Sequence, residues 1–138
     1  MEKIAIIELN EKALKLSIYK ISNGKGMLSL CKNHSVMLGE ELDRDELINP
    51  NTKNSLLEIL KVYRKLIESY NVSKIISTTT NVVLKARNYR GFLDEIYNNT
   101  GLNFVILSDE DYIKNLFNAV VNSIDSAKGI FIYVGAYS

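Results

Sequence analysis

From Ile4 to Met37 the apolar residues fall into short groups with strand spacing. Ile4–Leu9 is a nearly continuous apolar run, the pattern of a central strand. Leu14, Leu16 and Ile18 then alternate with Lys15, Ser17 and Tyr19, which predicts a half-buried strand. Asn23-Gly24 is a hairpin-turn signal, and Met27–Met37 supplies a third strand. Three consecutive antiparallel strands are therefore expected to open the chain. Residues 39–51, GEELDRDELINPN, are polar and hold the single proline, which reads as a loop. From Lys53 the period becomes helical: Leu56, Leu60, Tyr63, Ile67 and Tyr70 share one face, widened by Ile59, Val62 and Leu66. Val72–Ser77 predicts a buried parallel strand. Phe92, Leu93, Ile96 and Tyr97 mark a second helix stopped by Gly101, and Asn103–Leu107 another strand. Ser108 followed by Asp111 at the third helical position forms a capping-box pattern for a third helix, striped by Ile113, Leu116, Phe117, Val120 and Ile124. Ile130–Val134 reads as a last strand. The order βββαβαβαβ predicts an α/β domain: a mixed sheet with helices packed on its faces.

Composition narrows the class without choosing a function. The chain has 138 residues, 46% of them hydrophobic and 24% charged, enough for one domain with a real core. A net charge of +1 argues against a dedicated nucleic-acid binder. No segment approaches the roughly 20 apolar residues of a membrane span, and the N-terminus lacks the pattern of a signal peptide. Cys31, the one cysteine, has no internal disulfide partner, which fits a reducing, cytoplasmic setting, and is expected as a small core residue. Lone His34 has no second ligand candidate beside it on its strand, so no metal site is expected there.

Four blocks carry a resemblance. LGEELDRDEL (38–47) resembles an L-G-E-G-L stretch, and STTTNVVLKARN (77–88) resembles A-T-S-A-x-R-E-A-x-N, with Thr80, Ala86 and Asn88 matching. LSDEDYIKNLF (107–117) resembles S-G-x-E-E-A-R-L, and YVGAYS (133–138) stands where D-I-G-G-G-S would. In order and at similar spacing, these blocks are similar to the exopolyphosphatase / guanosine pentaphosphate phosphatase (Ppx/GppA) family. The resemblance implies a ribonuclease-H-like domain of the actin-like ATPase superfamily, covering about the first half of such a catalytic core. The expectation is then an N-terminal domain that stops inside its second phosphate loop, with a second, similar domain absent. The activity implied is Mg²⁺-dependent hydrolysis of terminal phosphoanhydride bonds of polyphosphate or guanosine pentaphosphate, in a cleft between the two domains.

Residue by residue, the resemblance places a metal- or phosphate-holding carboxylate at Glu8, in ELNEKA (8–13), where the family has D-x-G-S-N-S. It places phosphate contacts at Asn10, Lys12, Thr80, Asn81, Lys85, Gly135 and Ser138, and the base that activates water at Glu110 or Asp111. The working letters depart from the pattern throughout. Asn10 replaces a glycine, although a phosphate-cradling loop needs close approach of its backbone N–H groups. Leu84 replaces an arginine suited to bidentate phosphate contacts, with Lys85 one position away. Tyr112 replaces a carboxylate, Tyr133 a metal-binding aspartate, and Ala136-Tyr137 a glycine pair.

Each candidate has a plainer reading. Glu8 at a strand end can simply face solvent, and Glu110 and Asp111 can stabilise a first helical turn through capping and the helix dipole. Lys12, Lys15, Lys85 and Arg87 form either a cationic rim or a solvated face. Tyr133 and Tyr137 suit packing. The expectations are accordingly a phosphatase-family domain inactive by itself or a degenerate binding or regulatory module on the same scaffold, with an actin-like ATPase or sugar kinase third. An exposed sheet edge adds self-association, as a homodimer, to what is expected.

Overall fold

Three sequential strands, β1 (Glu2–Leu9), β2 (Ala13–Ser22) and β3 (Lys25–Ser35), pair antiparallel in a computed structural model that describes residues 2–23 and 25–107. Asn23 sits at φ 53°, the left-handed backbone that the Asn-Gly turn predicts. Two helices follow, α1 (Leu38–Asp45) and α2 (Pro50–Ser69), then β4 (Lys74–Thr80), a 3₁₀ helix (Asn81–Lys85), α3 (Tyr89–Thr100) and β5 (Val105–Leu107). β4 lies parallel to β1 and β5 parallel to β4, giving a five-stranded mixed sheet of order β3-β2-β1-β4-β5. The expected capping box at Ser108, the third helix and the strand at Ile130–Val134 lie outside the described residues.

One face of the sheet carries the main core. Ala5, Ile7 and Leu9 of β1 and Leu14, Leu16 and Ile18 of β2 pack with Leu38 and Leu42 of α1, Leu56, Leu60, Tyr63 and Ile67 of α2, and Phe92 and Ile96 of α3. The Tyr63 hydroxyl, brought into this core, donates to the Leu14 carbonyl at 3.0 Å and meets His34 Nδ1 at 2.7 Å. α3 ends as the sequence indicates, with Gly101 at φ 74° and its N–H donating to the Tyr97 carbonyl.

Several expectations need correcting. The stretch 39–51 is largely helical. Leu38 and Leu42, one turn apart, bury in the core and make α1 amphipathic despite its acidic sequence, while Glu46 closes it at φ 54°. Pro50 begins α2 rather than interrupting a loop, because the first turn of a helix has no use for its missing N–H. β2 is buried on both faces: Lys15, Ser17 and Tyr19 are as inaccessible as the leucines between them. Val62 and Tyr97, included in the helical stripes, are exposed at the stripe edges. Cys31 is exposed, because it lies on the edge strand β3 instead of in the core.

Candidate functional site

Parallel strands β1, β4 and β5 end at the same edge of the sheet, in Leu9, Thr80 and Leu107, and the β1–β2 turn and the 3₁₀ helix leave from that edge. Ligands of open α/β sheets characteristically bind beyond such carboxyl ends. The edge gathers five of the sequence-derived candidates, Glu8, Asn10, Lys12, Thr80 and Asn81, with Lys85 at the far end of the 3₁₀ helix. Glu110, Asp111, Gly135 and Ser138 lie outside the described residues.

Glu8 does not face solvent: it is 2% exposed. Its direct cross-strand partner on β2 is Lys15 and its parallel neighbour on β4 is Thr78. Directly opposed residues project from the same side of a sheet, so these three side chains share the face opposite the helical core. Lys15 and Thr78 are each 3% exposed, and Ser17 and Tyr19 continue the polar row along β2. The Thr78 hydroxyl has no hydrogen-bond partner among the described residues.

Burial pushes the Glu8 carboxyl up to about 7, an effect the nearby Lys15 ammonium partly offsets. For Lys15 the same burial pulls downward, opposed by Cys31 and Glu8. Burial, then the negative field of Glu8, holds the Tyr19 phenol above its ordinary value. Glu8 and Lys15 are thus buried neighbours in register, each of which partly offsets the effect of burial on the other.

The β1–β2 turn is closed on itself. Asn10 Oδ1 accepts from the backbone N–H of both Lys12 and Ala13 at 2.9 Å, while the Asn10 N–H donates to the Ala13 carbonyl at 3.0 Å. A side-chain oxygen thus takes the donors that a loop of this kind would turn toward a phosphate oxygen. The carbonyls of Glu11 and Lys12 in turn accept from Gly39 and Val36 N–H, pinning the turn to the β3–α1 connection. A Cβ at Gly39 would stand 3.1 Å from the Glu11 Cβ, which makes this close approach one for glycine.

Lys12 and Asn81 are exposed and Thr80 is half-buried at the start of the 3₁₀ helix. Lys85 Nζ pairs with Asp43 of α1 at 3.2 Å, with both groups solvated, and Leu84 is 50% exposed. Asn88, which matches the family pattern, and Glu41, which stands where that pattern has a glycine, have structural duties. Asn88 Oδ1 accepts from Ile48 N–H at 3.0 Å and its Nδ2 donates to the Ile48 carbonyl at 3.1 Å, tying the 3₁₀ segment to the α1–α2 connection. Buried Glu41 receives the Thr52 hydroxyl at 2.6 Å, Asn49 Nδ2 at 2.8 Å and Asn49 N–H at 3.3 Å, which joins α1 to the first turn of α2. By sequence, Lys15 stands out only as part of a basic rim. The signal for its partnership is the turn itself: pairing Leu9 with Leu14 sets Glu8 opposite Lys15.

The Mg²⁺ implied by the resemblance does not fit these residues. Among the described residues no group of three or more His, Cys, Asp or Glu is placed to hold a metal ion. Glu8 offers one carboxylate, beside an ammonium, at a site too inaccessible for the several waters that Mg²⁺ keeps. No described helix is long and apolar enough to cross a membrane.

A model of the Ppx/GppA phosphatase family matches residues 17–135. Among solved structures, an Aquifex aeolicus member of the Ppx/GppA family is similar at 22% identity and a TM-score of 0.81, covering 91% of this chain and 41% of that one. The type II variant of an Aquifex aeolicus Ppx/GppA phosphatase, at 22% identity, gives 0.76 over 79% of this chain and 36% of the other. An exopolyphosphatase from Cytophaga hutchinsonii gives 0.76 at 19% identity, over 82% and 36%. This chain therefore spans 36% to 41% of the length of these relatives. No curated protein matches. The likeness establishes the actin-like, ribonuclease-H-like fold, and the three antiparallel strands followed by parallel ones agree with it.

Proposed function

Because the chain belongs to the Ppx/GppA phosphatase family, we propose that it is the N-terminal domain of a protein of that type and forms one wall of a cleft for terminal phosphoanhydrides of polyphosphate or guanosine pentaphosphate. In this reading the domain is a catalytically degenerate binding or regulatory module and releases no phosphate by itself. One observation carries it: Asn10 Oδ1 consumes the N–H groups of Lys12 and Ala13 in the first phosphate loop. Leu84 in place of an arginine and Lys85 paired with Asp43 point the same way.

A hydrolytic reading draws on a different observation. A carboxyl titrating at about 7, at the carboxyl edge of the parallel strands, suits a general base. The two readings separate in an assay of phosphate release from polyphosphate and guanosine pentaphosphate, with and without Mg²⁺, beside an active family member. The degenerate module gives no release under either condition. Mg²⁺-dependent release that disappears in Glu8→Ala would establish the hydrolytic reading instead.

A further inference from the structure

His34 is the one histidine of the chain, and it stands near the end of β3. Because β3 is antiparallel to β2 and β2 to β1, β3 ends at the same sheet edge as β1. His34 pairs with Leu14, which pairs with Leu9, the last residue of β1. The histidine is exposed, yet its Nδ1 lies 2.7 Å from the hydroxyl of Tyr63, which is 0% exposed. That hydroxyl has a single hydrogen to give. The Leu14 carbonyl at 3.0 Å and the Lys32 carbonyl at 3.5 Å lie around the same oxygen, and a carbonyl can only accept. A hydrogen sent to the imidazole would leave the hydroxyl and Leu14 oxygens lone pair to lone pair at 3.0 Å, in a buried place. Donation to Leu14 avoids that cost, and Nδ1 must then donate to the hydroxyl oxygen.

We infer that Tyr63 is a positioning residue: it holds the neutral His34 ring as the Nδ1–H tautomer and leaves the Nε2 lone pair to the solvent side at this end of the sheet. Without such a partner the ring hydrogen is shared between the two nitrogens. A ligand group that meets Nε2 here must therefore bring a hydrogen, as a hydroxyl or an amide N–H does. The turn at Asn10 takes no part in this arrangement, which holds under either reading of the phosphate loop.

The test is long-range proton–nitrogen correlation NMR of the isotope-labelled 138-residue chain at alkaline pH, where one histidine gives one set of ring signals. A ring nitrogen bearing a lone pair resonates far downfield of one bearing hydrogen. Nε2 is told from Nδ1 by its strong correlations to both C–H hydrogens of the ring. The expected wild-type spectrum has the downfield signal at Nε2 and the upfield one at Nδ1. In Tyr63→Phe the two signals are expected to draw together, as the hydrogen is shared between the nitrogens. A wild-type downfield signal at Nδ1, or two averaged signals, would overturn the inference, as would a Tyr63→Phe spectrum unchanged from wild type. Should Tyr63→Phe fail to fold, the wild-type spectrum decides the matter alone. Phosphate release has no part in this readout, so its outcome and that of the functional assay fail independently.

Discussion

Two residues set the chemistry of this sheet edge, Glu8 by where it is buried and Asn10 by what it bonds. A carboxyl whose pKa rises from 4.5 to about 7 on folding binds its proton more tightly in the folded chain. Its contribution to stability is therefore full below about pH 4.5 and is lost as pH rises through about 7. Lys15, Tyr19 and Cys31 face the same region, so the comparison must be internal: wild type relative to Glu8→Gln. Each tenfold change in proton affinity is worth roughly 1.4 kcal/mol. Urea denaturation is accordingly expected to show wild type losing about 3 kcal/mol against Glu8→Gln between those limits. For Asn10→Ala the turn loses the acceptor for two backbone donors, and a stability decrease of about 1 kcal/mol is expected from the same measurement. At this scale the sequence shows which letters stand at the motif, but not their directions. Glu8 at a strand end has the same letters whether it faces water or a buried lysine; only the register with β2 decides. Asn10 is recognisable as a turn former, yet whether its amide turns outward or back onto Lys12 and Ala13 depends on the pinning by Gly39 and Val36.

At the level of elements, the sheet edge is held in place by polar side chains that look like surface residues in the sequence. Glu41 joins α1 to α2, accepting from Thr52 and twice from Asn49. Replacing it with alanine leaves those donors without their acceptor in a partly buried place, and a loss of about 2–3 kcal/mol in chemical denaturation is expected. Asn88→Ala releases Ile48 from both of its backbone bonds and is expected to cost about 2 kcal/mol, read in the same way. Strands β1, β2 and β3, the turn at Asn23 and the Gly101 stop of α3 are legible because period and turn chemistry agree there. α1 is not. Its two core leucines are too few, among acids and an arginine, to outweigh a polar stretch ending in proline. The core contact that makes it a helix comes from the sheet, which lies far away in sequence.

For the whole molecule, family and fold follow from several weak blocks in the right order, none of which is persuasive by itself. The chain corresponds to roughly two fifths of its solved relatives, and the described part holds the carboxyl edge of the parallel strands. At that edge the turn donors go to Asn10 and Lys85 goes to Asp43, while Glu8 lies buried opposite Lys15 in the β1–β2 register. Leu84, Asn10 and Tyr133 announce altered motifs in the sequence; the first two have defined places in the fold, and Tyr133 lies outside the described residues. The most direct measurement is phosphate release by this chain from polyphosphate and guanosine pentaphosphate with Mg²⁺, run beside an active relative. Folded protein that releases nothing is the expected result. Turnover that depends on Glu8 would contradict it, and would mean that the closed turn and buried carboxylate still assemble a working site.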